Sequence, residues 1–225
     1  MPDLGASTAL FDAIWTRSQQ SRPGGMQAEA CAEWMAALYR HLEVELQALD
    51  RSRIACAAGC ADCCVVDVAV LMPEAIAVVE FLRQLESSGA GAAMRERVAA
   101  LDRTIGGLNA QERLRLQLPC AFLSDRGSCL IYPMRPLMCR SVSSTDPASC
   151  RAALTAQDEA SAPPVVMNLQ QKQLCDQAFF ALAEVLKGRG LDDRSASLNS
   201  MVYHLLRQPQ LAAAWLQGGP VPQNS

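Results

Sequence analysis

The residues predict a mainly α fold, with helices flanking a compact cysteine-rich, metal-binding insert that contains a short β-hairpin. Three observations carry that expectation. Apolar residues spaced three and four apart run through both ends of the 225-residue chain. Proline, glycine and short β-branched or aromatic runs interrupt the pattern between residues 56 and 150. Eight of the ten cysteines fall inside that interrupted stretch. Half the residues are apolar and 19% are charged, the composition of one folded domain over residues 1–225. Within it, residues 56–150 form the cysteine-cluster region, and 1–55 and 151–225 supply the flanking helices.

The elements follow in order. Ser7 or Thr8 caps a first helix through about Gln20, and "RPGG" at 22–25 breaks it. A second helix spans Met26 to about Asp50, where Cys31, Trp34, Met35, Leu38, Leu42, Leu46 and Leu49 form one apolar stripe. "VVDVAVL", 65–71, reads as a short strand or extended connector. A helix restarts at Pro73, with Glu74 complementing its positive end and Ile76, Val79, Phe81, Leu82 and Leu85 as its buried face, and "ESSGAG" stops it. Further helix is expected from Ala92 to Ile105 and from Asn109 to Leu116. "CAFL", the turn "SDRG" and "SCLIY" then read as a tight hairpin with a thiol on each arm. Pro133 and Pro136 fix a loop leading into Leu137, Met138 and Cys139. From Pro163 or Pro164 a helix runs through Leu169, Cys175, Phe179, Leu182 and Leu186 to the glycines of "KGRG". A helical pair, Ser195–Leu206 and Gln210–Leu216, closes the chain.

Charge and hydropathy narrow the function classes. The formal net charge is −3 and no run of Lys and Arg reaches five, so the electrostatic footprint of a nucleic-acid binder is missing. No membrane partner is expected either, because no stretch reaches the roughly 18 apolar residues of a span and the first 20 residues lack a basic start and an apolar run. The expected location is cytoplasmic. There thiols stay reduced, and clustered cysteines point to metal or redox chemistry rather than to a disulfide framework.

Two cysteines have an ordinary explanation: Cys31 is in phase with Trp34, Met35 and Leu38, and Cys175 with Phe179 and Leu182, so both belong to core packing. The other eight form two groups: Cys56, Cys60, Cys63 and Cys64 in "CAAGCADCC", then Cys120, Cys129, Cys139 and Cys150. None continues an apolar stripe, and all are expected in irregular backbone. Thiolates are soft donors for zinc or iron–sulfur clusters, and four suit a tetrahedral site, so eight could serve two sites. Adjacent Cys63 and Cys64 are expected to divide between sites or to bridge toward the second group. The C-x3-C-x2-C spacing of Cys56, Cys60 and Cys63 also resembles the cluster motif of radical-SAM enzymes, but no alternation of strand and helix is present to build their barrel.

The ordered set of C-x3-C-x2-C-C at Cys56–Cys64, "CAFL" at Cys120, "CLIY" at Cys129, "RPLMCR" at Arg135–Arg140 and Cys150 resembles the YkgJ-type cysteine-cluster family, described as a zinc- or iron-chelating domain. That family includes proteins described as flagellin lysine N-methylases, so the resemblance implies a modifying enzyme as one alternative. This chain lacks a Gly-rich SAM-binding loop after a strand. Arg135 and Arg140 match the motif. Their guanidinium groups offset thiolate charge and favour metal loading, or Arg135 holds the proline loop through backbone or carboxylate contacts. Tyr132 is expected to pack, with its hydroxyl as a tether. His41 and His204 lie within predicted helices as ordinary surface or boundary residues, and Asp62 and Asp67 read as solvated loop acids. The readings are an iron–sulfur or zinc protein in electron transfer or metal handling, an N-methylase-like enzyme, or a zinc-stapled interaction module. Iron–sulfur is preferred over zinc because the donors are all cysteine.

Overall fold

A computed structural model describes residues 7, 9–13, 15, 16, 26–86, 89–156 and 160–222. Its helices are α1 (Ala28–Gln47), α2 (Met72–Gln84), α3 (Ala90–Ile105), α4 (Ala110–Leu116), α5 (Leu137–Ser141), α6 (Pro147–Thr155), α7 (Leu169–Gly188), α8 (Leu198–Arg207) and α9 (Gln210–Leu216). Two 3₁₀ turns, Asp62–Val65 and Tyr132–Met134, lie among the cysteines. The fold is mainly α. Residues 7, 9–13, 15 and 16 are helical, as expected; Thr8, the end near Gln20 and the "RPGG" break lie outside the described residues.

Helix α2 is the centre of the molecule. Of its predicted face, Ile76, Val79 and Leu82 are buried and Phe81 and Leu85 half-buried, and Ala75, Ala77 and Val78 around the rest of the helix are buried too, the signature of a core helix. It packs against α1, α3 and α8. The α1 stripe from Cys31 to Leu46 closes one side, where the Trp34 indole donates to the Phe11 carbonyl at 3.2 Å and meets the Trp15 ring edge-on at 4.5 Å. Helix α3 approaches so closely that a Cβ on its Gly91 would meet the Leu82 carbonyl oxygen at 2.5 Å, which only glycine avoids.

The extended connector contains β1 (Ala69–Val70), paired antiparallel with β2 (Ala196–Ser197) in the register Ala69↔Ser197 and Val70↔Ala196. This pairing delays the start of α8 to Leu198 rather than Ser195. The turn at Ser124–Gly127 forms as expected, with the Gly127 amide donating to the Ser124 carbonyl at 2.9 Å and a single antiparallel bridge, Leu123↔Cys129, behind it. Helix α7 begins at Leu169 rather than at Pro163 or Pro164. The residue before each proline is pushed toward extended backbone, and the Asn168 side chain supplies the N-cap by accepting the Gln171 amide at 3.0 Å. Helix α6 was not expected at all. Asp146 caps it by accepting the Ala148 and Ser149 amides at 2.9 and 3.1 Å, with Pro147 at its start.

One hydrophobic core runs through the described chain. Ala121, Phe122, Ile131 and Leu137, all inside the cysteine region, belong to the same core as Trp34, Ile76, Leu182 and Trp215. The cysteine region is therefore seated in the helical core rather than appended to it. Among the described residues, no helix is long and apolar enough to cross a membrane.

Candidate metal centre

The first cysteine run occupies loop 51–61 and the 3₁₀ turn Asp62–Val65. Its backbone is tied to the second group at several points. The Cys120 amide donates to the Cys64 carbonyl at 2.7 Å, and the Ala55 amide donates to the Ser144 carbonyl at 2.8 Å. The Ser144 amide in turn donates to the Cys56 sulfur at 3.2 Å. Asp62 pairs with Arg151 of α6 at 3.1 Å, beside Cys150. At the hairpin tip, a Cβ on Gly127, whose φ is +72°, would meet the Gly59 carbonyl oxygen at 2.7 Å. The two loops thus cross where neither has a side chain, and Arg97 of α3 clamps the hairpin through the Leu123 carbonyl.

These ties bring residues of both groups together. Cys139 and Cys150 lie on α5 and α6, not in irregular backbone as expected; both helices are short and start behind a proline or a capped Asp-Pro, signals that do not require an apolar stripe. Cys56 is exposed, and Cys60, Cys63, Cys64, Cys120, Cys129, Cys139 and Cys150 are half-buried. The Cys63 and Cys64 thiols hydrogen-bond to each other. Cys120 and Cys129 are electrostatic neighbours of Cys64, while Cys60, Cys63 and Cys150 are those of Cys56. Cys139 neighbours Cys120, Cys129 and Cys63. Among the described residues, no three Cys, His, Asp or Glu side chains form a ready coordination sphere. The thiols are neighbours whose side chains must turn toward a common point to share an ion. As a donor set, all sulfur and mostly half-buried, they fit zinc or iron.

The thiols differ in acidity. Cys63 is held below the ordinary thiol range, first by the hydrogen bond from Cys64 and then by the Arg135 charge, against the opposing effect of burial. Cys64, the donor in that bond, is pushed up. Burial raises Cys120 to about 11 and Cys139 to about 12. Cys63 is thus the thiol most ready to meet a cation as thiolate.

The two motif arginines have different work. Arg135 donates to the Cys139 carbonyl, and its charge also favours the thiolate forms of Cys63, Cys129 and Cys139. Arg140 is buried and acts on the proline loop: it donates to the carbonyls of Arg135 at 2.7 Å, Pro133 at 3.2 Å and Tyr132 at 3.4 Å. It also pairs with Glu43 of α1 at 3.1 Å and lies 4.7 Å over the Tyr39 ring. Tyr132 does not pack as expected. The residue is 57% exposed, while its neighbours Ile131 and Met134 pack on the core, and it contributes its carbonyl instead. Asp62 and Asp67 are not free loop acids either; Asp67 pairs with Arg113 at 2.6 Å and accepts from Ser197 at 2.8 Å.

Three residues under the site, Tyr39, Glu43 and Gln171, carry no signal in the sequence, and Glu74 has there only the role of complementing the positive end of its helix. The Gln171 amide group donates to the Arg140 carbonyl at 2.8 Å. Glu74 is fully buried, accepting from Leu71 N at 3.0 Å, Leu137 N at 2.8 Å and the Tyr39 hydroxyl at 3.1 Å. A carboxylate in a helix apolar all round was the available signal. Cys31 and Cys175 are fully buried in the core; burial pushes Cys175 up to about 12 and Cys31 higher. His41 and His204 lie on α1 and α8.

Comparison with the curated proteins and with the solved structures returns no match. A family model, CxxCxxCC, with the description "Putative zinc- or iron-chelating domain", matches residues 55–175, a span that opens just before Cys56 and includes all eight clustered cysteines. Since that match covers more than half of the 225 residues, the chain belongs to the CxxCxxCC family of cysteine-cluster domains.

Proposed function

We propose that the metal held by this domain is an iron–sulfur cluster, bound by thiolates from both cysteine groups and used in electron transfer or metal handling in the cytoplasm. The observation that carries this reading is that the second cysteine group is anchored by core packing and hydrogen bonds of its own. Phe122, Ile131 and Leu137 sit in the common core, and Arg140, Glu74 and Gln171 hold the backbone from Tyr132 to Val142. A metal used only as a staple would be redundant along this segment. Exposed Cys56 puts one candidate ligand at the surface, where electrons or a metal ion are exchanged with a partner. The all-sulfur donor set agrees with a cluster, and it also suits a zinc site, the second reading.

Anaerobic purification of the full chain, followed by iron, zinc and acid-labile sulfide analysis and a visible spectrum, separates the two. The expected result is brown protein with iron and sulfide in comparable amounts. A colourless chain replete with zinc and free of sulfide overturns the iron–sulfur assignment and leaves the zinc site.

A further inference from the structure

Cys139 sits on α5, five residues from Leu137 to Ser141, too short to hold its own position. Something outside the helix must set where it begins and how it is rotated. The group that meets its first amide is a carboxylate from the middle of the core: Glu74 Oε1 accepts Leu137 N–H at 2.8 Å, two residues before Cys139. The same oxygen accepts the Tyr39 hydroxyl at 3.1 Å, and Oε2 accepts Leu71 N–H at 3.0 Å. One fully buried side chain therefore joins α1, the start of α2 and the start of α5. Capping α2 alone would need neither burial nor the second oxygen, and a buried carboxylate is costly unless its partners are fixed.

We propose that Glu74 is a positioning residue for the metal centre, holding the first turn of α5, and with it Cys139, in the orientation that ligation requires. This rests on the metal-binding reading of the eight thiols. Metal ligands depend on the groups that orient them, and loss of such a group typically weakens metal binding about 10–100-fold.

The test uses the full chain, stripped with a chelator and titrated anaerobically with Co(II), whose thiolate charge-transfer band reports how many sulfurs bind. Glu74→Gln keeps the size but replaces one acceptor with a donor. Glu74→Asp keeps the charge and stays near Leu71 but is one methylene short of Leu137, so it serves if the first variant does not fold. Leu205→Ala, in the buried face of α8, gives a loss of stability remote from the thiols. Both Glu74 variants should raise the Co(II) dissociation constant about 10–100-fold. They should also lose roughly a quarter of the band, one thiolate of a four-sulfur site. Leu205→Ala should leave both readings unchanged. Glu74→Asp with wild-type affinity and band, or Leu205→Ala with the same losses, overturns the positioning role. Wild-type protein that takes up neither Co(II) nor Zn(II) removes the metal reading itself, and this inference with it.

Discussion

Replacing Arg140 with Met should be among the most damaging single changes in the cysteine region, and the contacts allow its cost to be worked out. The guanidinium is 7% exposed and donates to three carbonyls of the 132–135 turn, while Glu43, its ionic partner, is 35% exposed. After the change Glu43 regains water, so its charge costs little. The carbonyls of Arg135 and Pro133 lose well-placed donors; both contacts are part-buried, so each costs about 1–2 kcal/mol, and the 3.4 Å contact to Tyr132 adds little. Loss of the cation–π contact with Tyr39 adds ~1 kcal/mol. The sum is about 3–5 kcal/mol. Urea unfolding followed by helical circular dichroism should then shift its midpoint down by roughly 1–2 M, for a slope of about 2–3 kcal/mol/M. Arg140→Lys keeps the charge but not the planar fork, so it should recover only about half of the loss. A cost for Arg140→Met below ~1 kcal/mol, or a Lys variant as stable as wild type, would refute the account of Arg140 as the brace of the proline loop.

Three further expectations are open to direct measurement. Cys31→Ala and Cys175→Ala should each cost about 1 kcal/mol of stability, as for deletion of a small buried group, and leave metal content unchanged; metal loss in either would put that thiol among the ligands. Chelator treatment, or Ser in place of Cys60, Cys63 and Cys139, should open the chain to trypsin first at Arg51, Arg53 and Arg126, which are exposed on the two loops. Arg135 and Arg140 should stay protected and most helical signal should remain; early cleavage at those two would show that metal alone holds their segment. Asp192 is held well below the usual carboxylate range by Arg194 and the Val221 amide, so its contribution to stability is present above about pH 4 and lost as pH falls toward its lowered value. Asp192→Asn should flatten that acid limb of a melting-temperature profile, and an unchanged limb would count against the contact.

The helices that build the core were legible because periodicity is a local record of burial. The stripe from Cys31 to Leu46 and the run from Cys175 to Leu186 needed no knowledge of what they pack against, whereas Leu169, read as part of that run, is exposed. Candidate ligands were legible from residue type and spacing alone. Pairings between distant residues were not. Arg140 and Glu43 are 97 positions apart and Glu74 and Leu137 are 63 apart, and no local pattern in the chain encodes which buried carboxylate meets which amide. The β1–β2 pair joins short segments that have no strand signal of their own beyond "VVDVAVL". Helix α6 was missed for a different reason. Its Asp-Pro start is a legible cap, but its nine residues bury no side chain and so carry no apolar stripe for periodicity to record.

The family match ends at residue 175, seven residues into the 20-residue helix α7, and it excludes both α1 and α8. Those two helices cover α2, which lies wholly inside the match. The stretch shared across the family is therefore a unit of inheritance but not of cooperativity: cut out at its own boundaries, it would keep every candidate ligand and expose Ile76, Val79 and Leu82 to water. A chain trimmed to those boundaries would have to supply a new cover for α2 before its thiols could be held as they are here.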